Sequence, residues 1–294
     1  MTSKVLTPGS RVKAGKEIRE LLVTPGAADR DPIRHARHRR RQHLLLGWLT
    51  PVVFLALWQL AASTGWIDTR FFPSPVSIGA TAVELLGAGT LEHNVWVSTQ
   101  RIILGFLLGV LVGVATGMLL GLSRIARSAL EPFLSALYTI PKLALLPLLL
   151  LIFGLGELPK ILLVALGVFF LMWITVVEAI LDIPEVYEEA ARSFGASPWM
   201  TFRHVTFPAA LPQIFVGMRL AIGNAVLVLI GIEFVQSDDG IGYQIWHSWS
   251  LFAAKPMYVG IVTVALMGLI LTLTIKLAGR VAVPWKGRGR TARS

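Results

Sequence analysis

The sequence contains no cysteine, which excludes disulfides, thiolate metal sites and a cysteine nucleophile. Charge is scarce too: Asp, Glu, Lys and Arg make up 15% of the 294 residues, against 54% hydrophobic ones. With a mean hydropathy of +0.68, that balance excludes an ordinary soluble domain and fits a polytopic membrane protein. Three catalytic signatures are missing as well. There is no G-x-x-x-x-G-K-S/T phosphate loop, no H-E-x-x-H helix and no G-x-S-x-G elbow. The six His show no paired ligand spacing inside an apolar run, so neither a metal site nor an enzyme is expected on this chain.

What charge there is sits mostly at the ends. Residues 1–43 carry a net +7 and residues 276–294 a net +6, so the body between them is slightly acidic although the whole chain is +10. Basic tails flanking apolar runs mark the cytoplasmic side of a membrane protein, where they also meet anionic lipid. The run Arg34 to Arg41 (R-H-A-R-H-R-R-R) leaves nucleic acid as a weaker alternative, and none is expected as a partner.

Six windows are long enough to cross roughly 30 Å of hydrocarbon at about 1.5 Å per residue. They run over residues 44–62, 102–122, 129–153, 161–180, 214–235 and 258–277. The first is too long for a secretory signal core and is read as a retained helix. The expected fold is therefore all-α, a polytopic membrane protein with six transmembrane helices. Residues 1–43 form a basic tail expected to be disordered, 44–278 the membrane domain, and 279–294 a basic cytoplasmic tail. With both termini inside, the inner segments hold the tails plus Arg124, Arg127, Arg192 and Arg203. The outer loops then hold only Arg70, Lys160, Lys255 and the borderline Arg101. The positive-inside rule selects that orientation. The outer stretch 63–100 is broken at Phe72-Pro73-Ser74-Pro75 and is expected to carry an amphipathic helix over residues 76–86.

Polar and small residues inside the windows carry the next layer. Gly105, Gly109, Gly113, Gly117 and Gly121 recur every four residues, which keeps them near one helix face and lets a neighbouring backbone come close. That neighbour is either another helix of the same chain or a second copy. The third window holds Tyr138-Thr139-Ile140-Pro141-Lys142 and, further on, Pro147, so its backbone ladder must loosen against protein or water. Lys142, about halfway along, is expected to face a cavity. It either attracts an anionic solute or is a structural amine paired with a carbonyl or carboxylate. In the fifth window Arg219 either snorkels to the cytoplasmic surface or, with Asn224, lines the path. Glu233 lies near the outer turn Ser237-Asp238-Asp239-Gly240, where it is a candidate gate residue while the two aspartates read as a solvated loop. Tyr138, Lys142, Arg219, Asn224 and Glu233 are thus the candidate path residues. Glu178 is read as capping the entry to the polar stretch that follows.

That stretch, residues 182–212, is a polar island between the fourth and fifth windows. Asp182 with Glu185 reads as a capping pair around Pro184, and apolar residues at Ile183, Val186, Tyr187, Ala190, Ala191 and Phe194 make one helical stripe. Glu185, Glu188, Glu189 and Arg192 fall opposite. Gly195 suits a left-handed stop, Ser197 an N-cap, and a second short helix is expected to end before Pro208. A helix lying flat on lipid is the competing reading, but such helices show basic polar faces and this one is acidic.

Glu189-Ala190-Ala191, then Gly195, then Val205-Thr206-Phe207-Pro208 resembles the "EAA" signature of permease subunits of binding-protein-dependent ABC importers. Val and Phe stand where the family has Ile and Leu, a mild departure. The break at Pro141 and Pro147, continued by Phe153-Gly154-Leu155-Gly156-Glu157, is similar to the branch that carries nitrate, sulfonates, taurine and bicarbonate. The resemblance implies a type I ABC importer permease fold with cytoplasmic coupling helices, placed in the bacterial inner membrane. It implies that Glu185, Glu188, Glu189, Ala190, Ala191, Gly195 and Pro208 meet an ATPase subunit present in two copies. It further implies an extracytoplasmic solute-binding protein, a second permease copy, no cofactor on this chain, and ATP with Mg on the partner. The solute expected is a small organic or inorganic anion, with heterocyclic vitamin precursors as competitors. An ion-gradient-driven carrier or channel is the rival class. It would need intramembrane carboxylate relays or inverted repeats, and neither is evident.

Overall fold

The computed structural model describes residues 32–287, with side chains for residues 46–285 except 48. The expected disorder of residues 1–31 and the end of the C-terminal tail lie outside the described residues. The described residues divide between Trp66 and Ile67 into two separate compact units. In the first, helix α1 (Pro32–Ser63) starts well ahead of Leu44, inside the stretch expected to be an unstructured tail. Pro32 suits a first turn, and the Arg, Ala, Gln and Leu that follow are strong helix formers with no breaker before Gly47.

The second unit contains α2 (Pro75–Gly87), α3 (Thr90–Leu122), α4 (Arg124–Tyr138), a 3-10 turn (Lys142–Leu145), α5 (Leu146–Phe153) and α6 (Glu157–Leu181). It continues with α7 (Glu185–Ser193), α8 (Pro198–Thr201), a π turn (Phe202–Thr206), α9 (Phe207–Val235), α10 (Ile241–Ser250) and α11 (Ala254–Ala282). Among the described residues there is no strand. The amphipathic helix expected over residues 76–86 appears as α2, started by Pro75 and by Ser74, whose hydroxyl accepts the Ser77 N–H at 3.2 Å.

Four helical runs are long and apolar enough to cross a membrane: Thr90–Leu122, Glu157–Leu181, Pro198–Val235 and Ala254–Ala282. The window 129–153 is not one straight helix, although its two parts together are long and apolar enough for a fifth, broken span. Its two halves, Arg124–Tyr138 and Lys142–Phe153, meet at 91°. Pro141 supplies no N–H, disfavours the helical region for the residue before it and itself takes ψ 116°, while Pro147 falls in the first turn of α5, where no donor is needed. The window 44–62 falls on α1, part of whose side chains lie outside the described residues.

Helix α6 is the spine of this unit. Leu163, Val164, Val168, Met172 and Val176 are fully buried, with Ile102 and Phe106 of α3 on one side and Ile214, Ile222, Val226 and Leu229 of α9 on the other. Lipid is as apolar as leucine, so burial alone does not hold helices together there; close packing does. The glycine ladder supplies it. A Cβ on Gly109 would sit 2.5 Å from the Ala165 carbonyl oxygen and 2.6 Å from Val168 Cβ; one on Gly113 would sit 2.7 Å from Met172 Cβ. Gly105, Gly117 and Gly121 face Val164, Val176 and Ile180 of the same helix. All five glycines therefore lie against α6 within the chain. We expect Gly109→Ala to separate the two backbones and to cost about 1–3 kcal/mol, the usual range for overpacking. Thermal unfolding of the detergent-solubilised chain measures it; an unchanged midpoint would mean the helices part without cost.

Candidate functional site

Three constellations concentrate the polar chemistry, at one end of the bundle, in its middle and at the other end. The first is a buried ionic clamp around Arg101, a residue only 2% exposed although the sequence suggested a loop boundary. Its guanidinium reaches three carboxylates on three elements: Glu157 of α6 at 2.5 and 2.7 Å, Glu233 of α9 at 2.8 Å, and Asp239 of the following turn at 2.5 Å. Glu233 has no exposed surface and also accepts from the Ser98 hydroxyl at 2.8 Å and the Gly242 N–H at 2.8 Å. Lys160 joins through Glu157 at 3.0 Å and the Ser237 hydroxyl at 3.1 Å. Asn94 accepts the Gly240 N–H at 2.9 Å, which pins the start of α10. A planar fork with five donors suits such multiple pairing, and each buried charge here has a partner.

Two expectations change as a result. Glu233 is held inside the clamp and does not line an open gate. Asp239 is an ion-pair partner and not merely a solvated loop residue. Arg101, Glu157, Lys160 and Ser98 were not singled out as site residues. The signal was present for one of them: Arg101 stands four residues before Gly105, so the glycine face extended by one step reaches it.

The second constellation lies at the break between α4 and α5. Lys142 donates to the Tyr138 carbonyl oxygen, and its ammonium stands 4.3 Å from the Tyr138 ring centroid and 5.2 Å from that of Phe170. Tyr138 and Phe170 pack at 5.8 Å, and Phe170 lies near the middle of α6. Asn224 is half-buried on α9, opposite Gly167 of α6. Arg219 is exposed on α9 and is not brought together with Lys142.

The third is the polar elbow. Asp182 does not cap α7: it closes α6, its N–H bonded to the Glu178 carbonyl at 2.9 Å, and Pro184 holds the position before Glu185. Helix α6 simply runs one residue too far for the Asp182 side chain to face the next helix start. Glu178 contributes that backbone carbonyl, and its side chain is exposed. At the other end Gly195 takes the left-handed conformation (φ 75°), with Gly195 N–H on the Arg192 carbonyl and Ala196 N–H on the Ala191 carbonyl at 2.9 and 3.0 Å. Ser197 caps α8 through the Met200 N–H at 3.3 Å.

The second short helix does not stop before Pro208. A π turn carries it into α9, with the Phe207 N–H reaching back to Phe202, and Pro208, lacking a donor, fits the wider turn. The acidic side chains Glu185 and Glu189 are exposed, as is Ala190; Glu188 and Ala191 are half-buried. The apolar stripe is not fully covered by the chain either: Val186 and Tyr187 are exposed, Phe194 is 92% exposed, and Trp199 and Met200 on α8 are exposed too.

Residues 105–281 match the family described as the binding-protein-dependent transport system inner membrane component. The chain belongs to that family. It is the membrane permease of such a transport system, resembling the sulfonate, taurine and nitrate branch. The permease is 38% identical over 81% of its length to the Escherichia coli (strain K12) protein named for aliphatic sulfonates transport, SsuC, covering 90% of that protein. It is 30% identical to the taurine transport system permease protein TauC of the same organism, with 81% of this chain and 88% of TauC covered. In fold it is similar to a subunit of the MetNI methionine ABC transporter, with TM-score 0.60, 21% identity, and coverage of 66% of the permease and 96% of that chain. A chain of a bacterial alginate ABC transporter, solved with its periplasmic protein, gives TM-score 0.57 at 16% identity and covers 87% of the permease and 96% of that chain.

Proposed function

We propose that the permease works with two copies of an ATPase subunit that grip the elbow from the cytoplasm, that both termini lie on that side, and that a second permease copy completes the path. A binding protein delivers the solute outside, and ATP with Mg is used on the ATPase, so this chain needs no cofactor of its own. The solute is a small anion of the sulfonate type, a reading supported by the names of SsuC and TauC and by Lys142. Tyr138, Lys142, Arg219 and Asn224 face the path.

The observation that carries this reading is the exposure of Val186, Tyr187 and Phe194 at α7 and of Trp199 and Met200 on α8, in an otherwise acidic loop. Large apolar side chains so placed ask for a protein partner, and aromatic anchors supply most of the affinity of such contacts. The elbow is also mechanically connected: residues 198–235 form one uninterrupted helical run, so a push on α8 reaches α9 without a loop to absorb it. ATP binding closes the ATPase pair, the elbows follow, and the spans re-pack from inward-open to outward-open. A gradient-driven carrier is disfavoured because Glu233, the carboxylate with no exposed surface, is already satisfied by Arg101, Ser98 and Gly242 and is not free to relay protons.

Co-purification tests the contact. The double variant Phe194→Ala/Trp199→Ala is expected to lower recovery of the ATPase on the tagged permease at least about tenfold, the effect of losing two central anchors. Full recovery would count against the elbow as the docking surface.

A further inference from the structure

The buried cations Arg101 and Lys160 and the half-buried Lys142 differ in one respect that matters for transport. Arg101 has three carboxylates and Lys160 has one, whereas among the described residues Lys142 pairs with none. Its neighbours are a carbonyl and the faces of two rings, beside the midpoint of a helix long enough to cross the membrane. An ammonium held at that depth without a counter-ion is costly, and carbonyl and ring contacts offset only part of the cost.

We infer that Lys142 is a transit station whose counter-ion is the solute itself: the acid head of an organic anion docks on the ammonium while its apolar part lies against Tyr138 and Leu143. This deepens the solute reading above and rests on it. Of the three N–H donors of Lys142 one is engaged by Tyr138, which leaves two for an acid head with more than one oxygen. The wall beside them is apolar. Tyr138 is 40% exposed, Leu143 is exposed, and among the described residues no carboxylate pairs with the ammonium. The rings and the carbonyl remain as partners once the solute departs, so the ammonium is never left bare and the anion is not trapped, as passage requires. Inorganic oxyanions share the head but not the tail, and the station favours the organic ones.

The probe is the nanodisc-embedded full chain carrying lysine labelled with 13C at Cε, which leaves all three N–H donors in place, the Lys142 resonance being assigned by its loss in Lys142→Arg. It is titrated at constant ionic strength with methanesulfonate, butane-1-sulfonate and 1-butanol. The expected result is a saturable shift with both sulfonates, a midpoint about tenfold or more lower for the butyl compound given the burial of three additional methylenes, and no shift with butanol. Tyr138→Ala, at an already exposed position, is expected to bring the two sulfonates to within about twofold. No saturable shift, equal midpoints in the parent protein, or a response to butanol would each overturn the inference. ATP-driven uptake by the complete transporter is a separate measurement: its failure would remove the proposed function and leave this binding result standing.

Discussion

Replacing Arg101 by alanine is expected to cost about 3–5 kcal/mol, the penalty for removing one partner of a buried ion pair, and so to abolish most of the folded permease. The loss is not one of local packing alone. The guanidinium ties α3, α6, α9 and the turn before α10, and its removal leaves Glu233 with no exposed surface and no cation. Lysine at 101 keeps the charge but offers a point where three carboxylates need a fork, so Arg101→Lys is expected to fall between parent and alanine. Arg101→Met/Glu233→Met removes the most deeply buried pair of charges together and is expected to recover part of the loss. Thermal midpoints of the detergent-solubilised protein check all three. An Arg101→Ala chain as monodisperse and heat-stable as the parent would mean that the clamp is incidental.

Gly195→Trp is expected to abolish uptake, by about a hundredfold or more if docking fails, while leaving membrane insertion and the bundle intact. Within this chain a Cβ at Gly195 meets nothing within 4 Å, so there is no internal clash to blame. What changes locally is modest: a side chain at φ 75° costs about 1 kcal/mol in the left-handed region. Gly195→Ala therefore separates backbone strain from bulk, since it carries the strain and adds little volume. Uptake into proteoliposomes holding the complete transporter measures both variants. If tryptophan transports as well as alanine does, no partner surface lies over Gly195.

Much of the fold was legible because lipid simplifies the code. Long apolar runs, the four-residue glycine spacing and the Gly195 and Ser197 punctuation each have one dominant physical meaning, and the structure places them accordingly. The misreadings fall where two local rules compete. Asp182 carries a capping side chain, yet helix α6 continues to Leu181 and leaves it on the wrong side of the junction. Pro208 ordinarily ends a helix, but a π turn removes the need for its missing donor. Pro141 and Pro147 were expected to loosen one span, whereas the first of them also disfavours the helical region for Ile140, and the run turns by 91°. The clamp was the hardest part, since Arg101, Glu157 and the pair Glu233 and Asp239 come from three distant segments, and their meeting depends on which faces of three helices turn inward.

The central claim, that the elbow is held from inside the cell by a separate motor, is open to one direct measurement because the chain has no cysteine of its own. A single Ser193→Cys, at an exposed position on the elbow, is treated with a membrane-impermeant maleimide in sealed vesicles of each orientation. The account predicts labelling only when the cytoplasmic face is outward, and protection of the thiol when the ATPase subunit is bound. Labelling from the external face, or labelling that the ATPase leaves unchanged, would contradict it.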